Sequence, residues 1–310
     1  MTTILFAAGK AQWPKWEAPL RSALSDAGVV ADLTLNADPA QVDVMLYAPG
    51  GDTPDDFTPF TNCKLVQSLW AGVERIVTIP TLTQPLCRMV DPGLTQSMIE
   101  YVVGHTLQMH LGIEGVPAAQ NGQWLPVAPP LAQERKVAIL GLGALGIACG
   151  RALAALGFEV LGWSRREKAL DGIACYHGAA GLRTVLERAE IIVTLLPATA
   201  DTENTLNAET LALLPRGAAI INPGRGTLID DDALLAALDT GHVAQATLDV
   251  FRVEPLPPTH PYWAHPRVTV TPHIAAETRP ITAARVIAEN VRRMQAGDAL
   301  LHLVDRTTGY

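Results

Sequence analysis

The sequence predicts an α/β protein with two doubly wound parallel-sheet domains, and three observations carry that expectation. Short aliphatic runs alternate with helical or loop segments along almost the whole chain. A glycine triplet, Gly141-x-Gly143-x-x-Gly146, stands between one such run and an Ala/Leu-rich segment. The length of 310 residues is enough for two domains of ordinary size.

In chain order, candidate strands at residues 3–7, 43–47 and 64–69 define a first parallel unit. The Pro-, Gly- and Asp-rich residues 48–61 read as the connection between two of them. A helical pattern over 94–111 leads toward a second domain, and residues 115–133, with Pro117, Gly122 and three more prolines up to Pro130, read as a linker. Beyond it, strands are expected at 136–140, 160–163, 191–195, 219–222, 245–250 and 268–271. Their near-continuous apolar character is that of strands covered on both faces. Residues 275–294 return to helical periodicity, and no repeat or low-complexity tract interrupts the chain.

An apolar share of 48% with 17% charged residues is that of a folded chain and excludes a disordered one. The net charge of -8 offers no footprint for nucleic acid, so the positive charge needed for an anionic ligand must be concentrated locally. The N-terminus carries no basic region ahead of its short apolar run, and no stretch reaches the ~18 apolar residues of a spanning helix. Cys63, Cys87, Cys149 and Cys175 are far apart with no CxxC pair, which predicts buried free thiols and no metal site. Together these features predict a soluble cytoplasmic protein with no membrane or nucleic-acid partner.

The glycine triplet follows the strand 136–140 and opens a helix over 144–156. In that context Gly141 permits the tight turn, Gly143 lets backbone approach a pyrophosphate, and Gly146 allows close packing of helix on strand. Ala144, Leu145 and Gly146 then supply the first N–H groups at the positive end of the helix dipole. At the tip of the next strand an NAD-binding fold carries an acid ~20 residues beyond the glycines. This sequence has Ser164-Arg165-Arg166 there instead. Two guanidinium groups suit a 2′-phosphate, through charge-assisted bonds of roughly 1.5–3 kcal/mol each. The expected cofactor is therefore NADPH; Glu167 is a counterweight, and use of NADH stays open.

Three later segments follow strands, where open α/β sheets bind ligands. AAIINPGRGTLID places Arg225 between two glycines, suited to gripping a carboxylate through two parallel bonds. ATLDVFRVEPLPP supplies Glu254, and VTVTPHIAAET supplies His273. Carbonyl reduction needs a hydride on one side and a proton donor on the other, and histidine cycles its proton near neutrality. A carboxylate on the other ring nitrogen fixes the tautomer and favours the imidazolium, which makes Glu254 the natural partner.

The strings GLGALG, WSRR, LLPATADT, INPGRGTLID, AALDTGHVAQATLDVF, EPLP, HPRV and TPHIAAET, all within residues 136–277, carry a resemblance. SLWAGVERI and Met98-Ile99-Glu100 extend it more weakly toward the N-terminus. The sequence resembles the D-isomer-specific 2-hydroxyacid dehydrogenases, and within them the short glyoxylate/hydroxypyruvate reductases. The resemblance implies a Rossmann-type cofactor domain at 101–275 and a flavodoxin-like substrate domain at 1–100 and 276–310, with a cleft between them. It implies that Arg225 binds the substrate carboxylate and that Glu254 and His273 form the acid–base pair. Backbone amides around Ala71, Gly72 and Val73 would help hold the carboxylate. Leu196 and Pro197 would line the cofactor cleft, with Asp249 near the nicotinamide amide, although a strand-end Asp also caps turns. The chain lacks the tryptophan that related reductases carry in the segment corresponding to MLYAPGGDTP, and Tyr47 or Trp70 is expected in its place.

The implied reaction is NADPH-dependent reduction of glyoxylate to glycolate and of hydroxypyruvate to D-glycerate, by a homodimer. A dehydrogenase of a bulkier D-2-hydroxy acid and a dinucleotide-sensing corepressor are the alternatives. Formate dehydrogenases of this fold use Gln where this chain has Glu254, which disfavours that branch.

Overall fold

The computed structural model describes residues 1–113, 122, 124 and 126–306. The expected linker at 115–133 therefore lies partly outside the described residues. The chain divides into two compact units, Met1–Leu94 with Glu277–Tyr310, and Thr95–Ala276.

The first unit contains β1 (Thr2–Ala7), α1 (Trp13–Asp26), β2 (Ala31–Thr34), β3 (Val44–Tyr47), β4 (Leu65–Ser68), α2 (Glu74–Val77) and β5 (Leu86–Cys87). Its strands form a parallel sheet in the order β2-β1-β3-β4-β5, a doubly wound arrangement. Side chains alternate across the sheet with period two. Ile4 and Phe6 of β1 thus join one core and Leu5 and Ala7 another, so every position of the run is apolar. The first of these cores also holds α1 residues Trp16 and Leu20 and residues Ala283, Ile287 and Val291 of the C-terminal helix.

Helix α3 (Pro92–Leu111) opens the passage to the second unit, where Met98 and Val102 join the core under the next sheet. That unit contains β6 (Lys136–Leu140), α4 (Ala144–Ala155), β7 (Glu159–Ser164), β8 (Ala174–His177), α5 (Gly178–Leu186), β9 (Ile191–Thr194), α6 (Ala208–Leu211), β10 (Ala218–Asn222), α7 (Asp231–Asp239), β11 (Val243–Leu248) and β12 (Val268–Val270). The seven-stranded parallel sheet runs β12-β11-β10-β9-β6-β7-β8. The strand order reverses between β6 and β9, the switch point at which such sheets bind ligands.

The last helix, α8 (Pro280–Ala296), starts five residues later than the periodicity from 275 suggests. Residues before it are engaged otherwise: the Ala275 N–H donates to Asp249, and Thr278 Oγ1 donates to the Leu69 carbonyl. Pro280 then stands in the first turn, where its missing N–H costs nothing. Cys63, Cys87 and Cys149 are buried free thiols, and burial pushes them up to about 11, 12 and 12; Cys175 is only half-buried. Among the described residues, no helix is long and apolar enough to cross a membrane.

Candidate active site

The glycine turn sits at the C-terminal end of β6. Gly141 adopts φ 109, and a Cβ on Gly146 would come within 1.8 Å of the Gly141 carbonyl oxygen. Helix and turn therefore touch backbone to backbone, and any side chain at 146 would force them apart. Gly143 is the N-cap of α4, and no side chain caps it. The first N–H groups of the helix, at Ala144, Leu145 and Gly146, point out of the helix end without intrahelical acceptors. That is the local requirement for holding a pyrophosphate.

Ser164 ends β7, buried, and its hydroxyl donates to the Arg166 carbonyl at 2.7 Å, which closes the turn carrying both arginines. Arg165 and Arg166 are exposed, and Arg165 lies 3.8 Å from the Asp201 carboxylate. A third cation joins them: Lys168 Nζ donates to the Leu142 carbonyl of the glycine turn at 2.5 Å. The run Arg165-Arg166-Glu167-Lys168 signals it, but only the folded turn brings Lys168 back to the glycines. Leu196 is buried after β9, and the carbonyl of the half-buried Pro197 accepts the Thr202 hydroxyl at 2.6 Å.

Arg225 follows β10 in a turn organised by Asn222, which is 1% exposed. The Asn222 amide donates to the Arg225 carbonyl at 2.9 Å, while its oxygen accepts from Gly224 N and Thr194 Oγ1. The Arg225 guanidinium is half-buried and donates to the Gly224 carbonyl at 2.7 Å. Behind it, a Cβ on Gly226 would fall 2.0 Å from the Phe251 carbonyl carbon, so the Arg225 turn packs directly on the loop that leads to Glu254.

Glu254 is held at both oxygens. Oε1 accepts the Phe251 N–H at 2.9 Å, and Oε2 meets His273 Nδ1 at 2.7 Å. His273 itself has φ 54, a left-handed conformation uncommon for a residue with a side chain. Its N–H donates to the Asp249 carbonyl at 2.8 Å, which holds the turn.

Asp249 is fully buried, and its carboxylate is spoken for. Oδ1 accepts from Thr271 Oγ1 at 2.7 Å and Ile274 N at 2.8 Å, and Oδ2 accepts from Ala275 N at 2.9 Å. Tyr101 of α3 bonds the same Thr271 hydroxyl at 2.7 Å. Because Thr271 spends its single proton on Asp249, Tyr101 is the donor to Thr271. Burial pushes the Tyr101 hydroxyl well above its ordinary pKa, which keeps it a donor. The side chain of Asp249 thus anchors the loop carrying His273, the turn-capping reading of a strand-end Asp. Tyr101 was invisible in the sequence because 170 residues separate it from Thr271.

In the first unit, Trp70, Ala71, Gly72 and Val73 form the loop after β4. Trp70 N donates to Ser68 Oγ at 2.9 Å, and its carbonyl accepts from Met89 N at 2.9 Å. Trp70 is 37% exposed and Val73 is buried. Below the loop, Gln67 and Asn290 are fully buried and bonded to each other at 2.7 Å. Tyr47 does not take the place of the absent tryptophan. It is 2% exposed, stacks edge-on against Phe57 and donates to the Pro54 carbonyl at 3.0 Å, so it is a core residue.

Comparison with known proteins gives consistent matches. Residues 105–275 match the family model for the D-isomer specific 2-hydroxyacid dehydrogenase NAD binding domain. The chain is 38% identical over 290 residues to glyoxylate/hydroxypyruvate reductase A of Serratia proteamaculans (strain 568), covering 87% of this chain and 92% of that one. A crystal structure of a D-isomer specific 2-hydroxyacid dehydrogenase from Xanthobacter autotrophicus Py2, in complex with NADPH and MES, superposes with a TM-score of 0.92. It shares 41% identity and covers 100% of this chain and 99% of its own. An NADPH-dependent glyoxylate/hydroxypyruvate reductase from Sinorhizobium meliloti, in complex with NADP and sulfate, gives a TM-score of 0.86 at 32% identity, over 100% of both chains.

Proposed function

The chain belongs to the D-isomer specific 2-hydroxyacid dehydrogenase family, and on that premise we propose that it reduces glyoxylate to glycolate and hydroxypyruvate to D-glycerate with NADPH. The observation that carries the reading is the 2.7 Å bond between Glu254 Oε2 and His273 Nδ1. With Nδ1 engaged, Nε2 is the nitrogen that gives its proton to a substrate carbonyl oxygen. Glu254, steadied by the Phe251 N–H, holds the ring's orientation and offsets the imidazolium charge. Arg225 takes the substrate carboxylate in its fork and polarises the adjacent carbonyl. The family resemblance assigns the Trp70–Val73 loop a role in carboxylate binding through its N–H groups.

The residues around the glycine turn fit the cofactor. The N-terminus of α4 would hold the pyrophosphate, Ser164, Arg165 and Arg166 the 2′-phosphate, and Leu196 and Pro197 a wall of the site. When bound, the reduced nicotinamide supplies the hydride to the carbonyl carbon. Relatives crystallised with NADPH or NADP support this choice of dinucleotide. A homodimer rests on the family resemblance alone, and a cytoplasmic location on the sequence features alone.

The test is NADPH oxidation by the purified protein with glyoxylate, hydroxypyruvate, pyruvate and a branched 2-oxo acid, repeated with NADH. Fast turnover of the two small acids with NADPH is the expected result. Activity confined to the bulkier acids would move the substrate class, and tight NADPH binding without turnover would replace the enzyme by a sensor. Changing Arg165 and Arg166 together to Ser should raise KM for NADPH by about 10–100-fold, since both bonds to the phosphate are charge-assisted but solvent-screened. KM for NADH should stay within about twofold, and equal losses with both would remove the arginines from cofactor choice.

A further inference from the structure

We propose that Arg252 is a positioning residue that pins the Glu254 loop to the turn following Arg225 and so keeps Glu254 aligned on His273. The inference rests on the reading of Glu254 as the partner of the proton donor.

Arg252 stands between Phe251, whose N–H steadies Glu254, and Glu254 itself. Its guanidinium bridges three segments. Nε and Nη2 both donate to the Ile229 carbonyl, at 3.2 and 2.7 Å, and Nη2 also reaches the Thr227 carbonyl at 3.4 Å. Nη1 donates to Glu203 Oε1 at 3.3 Å, and Nη2 bonds the Asn204 side-chain oxygen. Asp231 adds a second carboxylate 3.9 Å from Nε. Thr227 and Ile229 belong to the short helical turn Gly226–Leu228 and its exit, directly after Arg225.

This constellation suits arginine alone. A planar fork of five donors serves two carbonyls and the side chains of a neighbouring loop at once, whereas a lysine ammonium concentrates its donors at one point. The positive charge also separates Glu203 from Asp231, so its removal leaves two carboxylates and two carbonyl oxygens converging on one space. Beneath the guanidinium the two loops meet backbone to backbone at Gly226 and Phe251. Arg252 supplies the side-chain tie at that contact.

The effect falls on Glu254 more than on Arg225. The Arg225 turn is independently held by Asn222 through its carbonyl and the Gly224 N–H. From its own loop the Glu254 carboxylate takes the Phe251 N–H, next to Arg252 in sequence. Loosening the tie therefore changes the proton-transfer geometry and leaves substrate and cofactor binding in place.

The experiment compares wild type, Arg252→Met, Arg252→Lys, Glu254→Gln and the Arg252→Met/Glu254→Gln double variant, using glyoxylate and NADPH. Arg252→Met should lower kcat about tenfold, the size expected for one lost charge-assisted tie. KM for glyoxylate and Kd for NADPH should stay within about twofold, and Arg252→Lys should recover part of the loss. In the Glu254→Gln background, Arg252→Met should cost less than about twofold more, because residues acting through one another are not additive. A slow Glu254→Gln enzyme that still loses the full tenfold on Arg252→Met overturns the proposal and leaves the acid–base reading intact. A Glu254→Gln enzyme with wild-type kcat removes that reading, and the tie with it. Should Arg252→Met fail to fold, Arg252→Lys carries the same comparison, and its loss must vanish in Glu254→Gln.

Discussion

Replacing His273 by Ala should lower kcat for glyoxylate by about 10²–10⁴-fold, the range for losing a positioned general acid, while NADPH binding should change little. The residues proposed to hold the cofactor at the glycine turn belong to a different loop. The substitution removes little packing, because the His273 side chain is half-exposed and bonds Glu254 through Nδ1. The left-handed backbone at 273 is held by the Asp249 carbonyl and by the bonds of Ile274 and Ala275 to the Asp249 carboxylate, all of which survive the substitution. The measurement is steady-state turnover beside NADPH titration by fluorescence. A variant that keeps more than about a tenth of the native rate would exclude His273 as the essential proton donor.

Arg225→Met should produce the second large effect, about a thousandfold loss in kcat/KM for glyoxylate. On the proposed role of Arg225, two parallel charge-assisted bonds to a carboxylate, each worth roughly 1.5–3 kcal/mol, would disappear together. Part of the loss appears in KM, because the carboxylate is bound in ground and transition states alike. The rest should appear in kcat, because on this proposal the guanidinium also orients and polarises the carbonyl. Arg225→Lys should fall between, keeping charge without the fork. The turn should survive either change, since Asn222 bonds the backbone of Arg225 and Gly224. A Met variant with native KM and kcat would show that the carboxylate is gripped elsewhere.

Much of this was legible in the sequence, and the reason is local. The interior strands β1, β3, β6, β9 and β10 are buried on both faces over most of their length, so each writes an apolar run that needs no knowledge of its neighbours. The glycine turn is equally local, because the strand, the tight turn and the helix that define it are contiguous. The same holds for the short strings that place Arg225, Glu254 and His273 at strand ends.

The three strands that pattern reading passed over, β2, β5 and β8, are all edges of their sheets. An edge strand has a neighbour on one side only and can be short and polar. Leu86–Cys87 is two residues, and β8 has no fully buried position. Their pairing is fixed by the partner strand, which lies elsewhere in the chain.

The sequence by itself determined the α/β class, the family and the chemical identity of the groups available to the site. Tertiary structure alone decided which atoms those groups spend on one another. It put Tyr47 in the core, committed the Asp249 carboxylate to the His273 loop, drew Tyr101 to Thr271, and set Arg252 across two loops. Each of those outcomes depends on a hydrogen bond or contact between distant positions. A buried polar group must find its partner wherever the packed chain presents one, and no local pattern of residues records where that is.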